Sequence, residues 1–265
     1  MLSRSLRFLS RNAATSAVTL PVYHTTEHGP ATSKAWRMFF NDSSTNAAMS
    51  AWHDLPLRPG AAADPLVFTC VTEIPKGTRA KLELSKEEPY NPIKQDIFKN
   101  KEGQPLRYFL YGDMPFNYGF LPRTWEDPLH IDPRTKCVGD GDPVDVVHLG
   151  TPHRVGTYGP VRILGVLGLI DQGETDWKII VESVSTAADE GYNTLANVPQ
   201  ELQMTIIDWF ENYKVPEGKK KNEFAFNREI KDAETALDII TQCASQYDTM
   251  ITVGGKRTDL GYWLR

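Results

Sequence analysis

Residues 161–183 read VRILGVLGLIDQGETDWKIIVES. Val161–Ile170 is an apolar, β-branched run and Trp177–Ser183 is a second, and Gly173 between them marks a hairpin turn. The pattern predicts two antiparallel strands. Asp171 and Asp176 are expected opposite each other at the strand ends, with Lys178 on the face of Asp176 and Glu174 at the turn tip. The same signal recurs upstream. Leu66–Ile74 is β-rich and stops at Pro75, and Ala80–Leu84 alternates, with Lys81 and Glu83 on one face and Ala80, Leu82 and Leu84 on the other. Leu106–Leu110 and Val144–Leu149 are further strand candidates. Two helices follow. Val198, Leu202, Ile206, Trp209, Phe210 and Tyr213 keep helical spacing, with Pro199 in the first turn; Ala233, Leu237, Ile240, Ala244 and Tyr247 do the same further on. Short strands first and helices last predict an α+β domain, a small antiparallel barrel carrying helices on its side.

Composition sets the limits. A chain of 265 residues allows one large domain or two small ones, and 40% hydrophobic with 24% charged residues excludes wholesale disorder. The sequence has no apolar run long enough to span a membrane. The net charge is −5 and the only basic cluster is Lys219-Lys220-Lys221, which argues against a nucleic-acid partner. Cys70, Cys137 and Cys243 are far apart, form no metal or redox motif, and read as reduced thiols inside a cell. Residues 1–26 carry Arg4, Arg7 and Arg11 and no acidic residue, and Leu2, Leu6, Phe8 and Leu9 are spaced as a short amphipathic helix. This is the profile of an organelle transit peptide, mitochondrial in preference to plastid. Residues 27–64 are polar and Gly/Ala/Pro-rich and are expected to be a linker or a surface-hugging arm, leaving 65–265 as the folded domain.

The chemistry lies in the acidic residues. Asp140-Gly141-Asp142-Pro143-Val144-Asp145 places three carboxylates within six residues. Carboxylates this close raise one another's pKa unless a cation lies between them, and hard oxygen ligands at this density suit Mg²⁺ or Mn²⁺. Taken alone, the segment also fits a solvated Asp/Gly turn. An EF-hand loop is excluded, because its fifth and twelfth positions would be Val144 and Thr151. Asp171 and Asp176 add a second acidic pair. Lys81, Arg107, Tyr118, Tyr213, Lys214 and Lys219 supply donors suited to phosphate. His130, His148 and His153 are scattered and make no Ser/His/Asp or Cys/His constellation. Together the residues suggest a site where metal ions and basic side chains neutralise a highly charged phosphate ligand.

The segment Asp140 to Val146 resembles the signature of the family I soluble inorganic pyrophosphatases. Glu73-Ile74-Pro75, Lys81-Leu82-Glu83, Asn91-Pro92-Ile93, Asn117-Tyr118-Gly119, Thr124-Trp125-Glu126-Asp127, Gly173 to Lys178 and Tyr213-Lys214 match in the family's order. The resemblance runs from about Leu66 to Tyr247 and implies a five-stranded OB-like β-barrel with flanking helices. It implies hydrolysis of inorganic diphosphate to two phosphates with Mg²⁺. Asp140, Asp145 and Asp176 would bind the tightest metal, and Asp171 and Glu83 would help hold those arriving with substrate. Asp142 would be the base towards the attacking water. Lys81, Arg107 and Tyr118, with Lys178, Tyr213 and Lys214, would contact the phosphates, and Glu73 would line the site behind them. With its N-terminal extension the chain is similar to eukaryotic mitochondrial members, which implies a matrix location and a homodimer. Two features depart from that pattern. Lys76-Gly77 follows Glu73-Ile74-Pro75 where eukaryotic relatives commonly carry Arg-Trp, an aromatic that contributes to their dimer contact, and the tail ends at Trp263-Leu264-Arg265 with no assigned place. A Mg²⁺-dependent hydrolase of another phosphoanhydride is one alternative. The other is an OB-type module for single-stranded nucleic acid, but such modules use a basic groove and the one expected here is acidic.

Overall fold

The computed structural model describes residues 20–60, 64–184, 191–253 and 260–264. The amphipathic helix expected within 1–26 lies outside the described residues.

The N-terminal part differs from expectation. Tyr23–His28 (β1), Arg37–Asp42 (β2) and Ala48–Met49 (β3) form a sheet with Leu82–Leu84 (β5) and Ile93–Gln95 (β6) in the order β1-β2-β6-β5, with β3 alongside β2. The boundary expected at residue 26 therefore cuts through a strand, and 27–60 is not a linker; of the two expectations it is nearer the surface-hugging arm, but it packs a core of its own against the body. Its average composition is polar, but Trp36, Met38, Phe40, Met49, Trp52 and Leu55 are all buried in one cluster with Val71, Phe120 and Trp125. Burying side chains of this size stabilises by about 1.5–3 kcal/mol each, enough to hold a mostly polar segment on the body.

The second sheet contains Val67–Ile74 (β4), Asn117–Phe120 (β7), Val138–Gly139 (β8), Asp145–His148 (β9), Tyr158–Asp171 (β10) and Glu174–Ser183 (β11). Short strands Glu223–Phe224 (β12) and Lys231–Asp232 (β13) pair with β10. The pairings run β10–β4–β7–β9–β11 and return to β10, so five strands close on themselves. Within that ring β9 and β11 are parallel and the other pairs antiparallel, a departure from the all-antiparallel expectation. The ring is tight. A Cβ on Gly119 of β7 would lie 1.8 Å from the carbonyl oxygen of Val71 on β4, so only glycine permits that approach.

The β10–β11 hairpin forms, with a turn two residues shorter than expected. Gln172 and Gly173 are the whole turn, with φ of 55° and 93°, the positive values a two-residue hairpin turn demands. Glu174 is drawn into the strand opposite Asp171, and Asp176 pairs with Leu169. Asp171 and Asp176 are thus diagonal neighbours on one face, not direct partners. Leu106–Leu110 is not a strand. Its amides bond to two separate segments, Arg107 N–H to the Asp96 carbonyl at 2.7 Å and Phe109 N–H to that of Arg79 at 2.8 Å.

Gln200–Asn212 (α1) packs Ile206, Ile207, Trp209 and Phe210 against one side of the ring, and Pro199 stands just before it as the N-cap. Ala233–Val253 (α2) covers the other side. Its buried stripe is Ala236, Ile239, Ile240, Cys243, Tyr247 and Met250, slightly rotated from the expected one, so that Ala233, Leu237 and Ala244 are half-buried. Cys70, Cys137 and Cys243 are free thiols. No helix among the described residues is long and apolar enough to cross a membrane.

Candidate active site

At one end of the closed sheet a cleft of about 700 Å³ opens between the ring, α1 and the β5–β6 edge. All the acidic, basic and tyrosine residues singled out in the sequence as ligands or contacts line it: Lys81, Glu83, Arg107, Tyr118, Asp140, Asp142, Asp145, Asp171, Asp176, Lys178, Tyr213 and Lys214, with Glu73 behind.

The loop 140–144, between β8 and β9, supplies Asp140 and Asp142, and Asp145 follows as the first residue of β9. Gly141 has φ +81°, which turns the chain sharply, and the Asp142 N–H donates back to Asp140 Oδ1 at 2.9 Å. Backbone bonds lock this loop to Glu126. Its N–H donates to the Asp142 carbonyl and its carbonyl accepts from the Gly141 N–H, both at 2.9 Å. β11 then brings Asp176 and Lys178 in on one face. The parallel register sets Lys178 opposite Asp145, and Lys178 Nζ lies 2.6 Å from Asp145 Oδ2, 2.7 Å from Tyr118 Oη, and against Asp176 Oδ1. The Tyr118 hydroxyl also donates to Asp145 at 2.5 Å.

Six of the expected phosphate donors, Lys81, Arg107, Tyr118, Lys178, Tyr213 and Lys214, are each paired with a carboxylate. Lys81 Nζ lies 2.5 Å from Glu83 and 3.1 Å from Asp96. Arg107 spans Asp96 at 3.0 Å and Glu217 at 3.0 Å. Lys214 and the Tyr213 hydroxyl both meet Asp171 Oδ2, the latter at 3.0 Å. Burial works against charge on Lys81 and Lys178, yet the adjacent carboxylates hold both above the ordinary lysine value. Asp171 is likewise opposed by burial but kept below the ordinary carboxylate range by Lys214. Asp140, Asp176 and Glu126 go the other way. Burial and then the neighbouring carboxylates push all three well above their ordinary values, against the pull of Lys178 on Asp176. Glu73 is raised for the same reasons, chiefly burial and Asp145.

Sequence reasoning missed four participants. Glu126, although inside a quoted motif, was not read as part of the site; it is 2% exposed and its Oε1 accepts the Trp177 N–H at 2.9 Å. Its Oε2 is buried without a hydrogen-bond partner among the described residues. Oxygens of Glu126, Asp140 and Asp176 lie within 4.8 Å of one another. An orphaned carboxylate oxygen beside two others, all disfavoured as anions, fits a hard divalent cation. Lys86, ion-paired to Asp142, sits in an ordinary charged loop that carries no local signal. Asp96 and Glu217 reach the site only because the fold brings them to Arg107.

An acid-floored cleft ringed by lysine, arginine and tyrosine defines a metal-dependent enzyme of phosphate chemistry. The family model for inorganic pyrophosphatase matches residues 70–248. The inorganic pyrophosphatase of Homo sapiens is 40% identical over 237 residues, 87% of this chain and 79% of that one. The chloroplastic soluble inorganic pyrophosphatase 1 of Chlamydomonas reinhardtii is 39% identical over 89% of this chain and 82% of its own. Among solved structures, the N-terminally truncated vacuolar soluble pyrophosphatase of Trypanosoma cruzi, in complex with PPi, superposes with a TM-score of 0.78 at 34% identity, covering 94% of this chain and 98% of that one. The chain belongs to the inorganic pyrophosphatase family, and it hydrolyses inorganic diphosphate to two phosphates.

Proposed function

We propose that hydrolysis proceeds by direct attack of water on diphosphate, assisted by Mg²⁺, in a five-stranded OB-like barrel. What carries this reading is the interleaving of carboxylates with lysine, arginine and tyrosine donors in one cleft. Asp140, Asp145 and Asp176 hold the tightest metal, joined at the floor by Glu126, while Asp171 and Glu83 hold further ions that enter with substrate. When bound, Mg²⁺ lowers the pKa of water and offsets phosphate charge. Lys81, Arg107, Tyr118, Lys178, Tyr213 and Lys214 bind and orient the diphosphate. Glu83, Asp145 and Asp171, the present partners of Lys81, Lys178 and Lys214, would hold the cations, which would leave those lysines to bind phosphate. Lys86 engages Oδ1 of Asp142 and leaves Oδ2 free to take the proton from water. The transition state is loose and charge-spread, so positioning and electrostatics supply most of the rate and no covalent nucleophile is needed.

Turnover and Mg²⁺ titrations on two variants test the roles. Asp142→Asn is expected to lose roughly 10²–10⁴-fold in turnover with metal affinity nearly intact. Asp145→Asn is expected to weaken Mg²⁺ binding first and to recover in excess metal. Lost metal affinity with full turnover at saturating Mg²⁺ in Asp142→Asn would make Asp142 a ligand and not the base. Phosphate release from diphosphate against nucleoside triphosphates separates the reaction from that of another phosphoanhydride hydrolase, and flow-through on immobilised single strands separates it from nucleic-acid binding.

The acid-free, arginine-bearing segment 1–26 supports delivery to the mitochondrial matrix. A fluorescent reporter carrying those residues should enter mitochondria; plastid import, or a diffuse signal, would refute that destination. A homodimer is the expected assembly, and sedimentation gives its mass.

A further inference from the structure

The C-terminal end of the described residues reaches the loop that carries Asp140 and Asp142. The segment Leu260–Leu264 returns to the cleft rim, where the Trp263 N–H donates to the Lys86 carbonyl at 2.7 Å and the Tyr262 hydroxyl donates to the Gly141 carbonyl at 3.0 Å. The Trp263 carbonyl accepts from the buried Asn91 amide at 3.5 Å and lies 3.2 Å from His53 Nε2, so the tail is anchored one residue beyond the tyrosine that meets the loop.

The Gly141 carbonyl is a crowded acceptor. Besides Tyr262 it takes Lys86 Nζ at 2.9 Å and Trp125 Nε1 at 3.2 Å. This carbonyl belongs to the peptide that joins Gly141 to Asp142, so its plane sets the direction in which the Asp142 side chain leaves the backbone. Lys86, whose carbonyl the tail holds, grips the Asp142 carboxylate itself. A Cβ at position 141 would fall 2.7 Å from Tyr262 Oη, so the glycine and the tyrosine are fitted to each other.

We propose that Tyr262 is a positioning residue for the reaction, its hydroxyl fixing the Gly141–Asp142 peptide so that the Asp142 carboxylate is held at the angle from which it deprotonates water. The proposal rests on the reading of Asp142 as the base. It assigns the segment Leu260–Leu264 to the catalytic machinery, although none of its residues lines the cleft.

The test is a double-mutant cycle on the full chain, with Tyr262→Phe, Asp142→Asn and the double variant assayed at saturating Mg²⁺ for kcat and for KM towards diphosphate, with melting temperature measured alongside. Phenylalanine keeps the ring against Lys86 and removes only the hydroxyl. Loss of one hydrogen bond of ordinary strength corresponds to a fall of roughly three- to tenfold in kcat. The expected result is that fall in Tyr262→Phe, with KM and melting temperature unmoved, and no further fall when Tyr262→Phe is added to Asp142→Asn. Unchanged kcat in Tyr262→Phe, while Asp142→Asn is crippled, overturns this proposal and leaves the base in place. The same fold-loss in both backgrounds overturns it too, because Tyr262 would then act independently of Asp142. Undiminished turnover in Asp142→Asn would instead fail the base assignment, and this proposal with it.

Discussion

Lys178 Nζ and Asp145 Oδ2 lie 2.6 Å apart across the parallel pair β9–β11, and the lysine side chain is 2% exposed. A lysine is tolerated there because Asp145, Asp176 and the Tyr118 hydroxyl surround it. Without it, two carboxylates are left facing each other in a desolvated pocket. Lys178→Met is therefore expected to destabilise the metal-free protein by about 3–5 kcal/mol in denaturant unfolding at pH 8, the magnitude seen when one partner of a buried pair is removed. Mg²⁺ should restore part of that loss. A cost below about 1 kcal/mol without metal would show that the pair is not what holds these carboxylates together.

Metal should stabilise the fold, and more so at higher pH. Burial and mutual repulsion raise Asp140, Asp176 and Glu126 on folding. Acids raised in this way favour the native state when protonated, and that favour is lost as pH rises through the raised values. Protons and metal compete for the same oxygens, so the Mg²⁺-induced rise in melting temperature should be larger at pH 8 than at pH 5.5. A concentration of 100 Kd contributes about 2.7 kcal/mol. An equal rise at both pH values would separate these three carboxylates from the metal site.

His148 works in the opposite direction. It sits on β9, away from the cleft, and burial, with the nearby His153 ring adding to it, brings its pKa from 6.5 down to about 3. A base depressed on folding gives stability that is complete above the unfolded value and is lost as pH falls from about 6.5 towards 3. Between pH 7 and pH 5 this amounts to about 2 kcal/mol. Urea unfolding of wild type and His148→Gln at the two pH values measures it: the variant should be less sensitive to acid by that amount, and identical slopes would refute the assignment.

Glu217 approaches the Arg107 guanidinium at 3.0 Å and 3.3 Å, so under the proposed role of Arg107 it would compete with phosphate. Glu217→Gln keeps the shape and removes the charge, leaving Asp96 to hold the guanidinium from the other side. The expected outcome is a KM for diphosphate lowered by roughly two- to fivefold, the effect of weakening one part-exposed ion pair. A raised KM would mean that Glu217 orients Arg107 and does not compete for it.

Local features are legible in the residues alone. The run 140–146 and the hairpin 161–183 carry their acids within a few residues of one another, so spacing alone announced an acidic site, and a glycine in the turn was enough to mark the hairpin. Helical spacing marked α1 and α2 for the same reason. The joining of distant segments is visible only in the folded molecule. The parallel pairing of β9 with β11 puts Lys178 on Asp145, the ring brings Glu126 under Asp140 and Asp176, and the tail sets Tyr262 on Gly141, 121 positions away in sequence. The N-terminal strands are not legible in the sequence, because a few large apolar residues, dispersed among polar ones, leave no periodic trace until a surface exists to bury them. Side-chain spacing records neighbours a turn or a pleat apart. Contacts made by closing a sheet depend on which strands pair and in what register, and that is settled by how the whole set of buried side chains fills the interior.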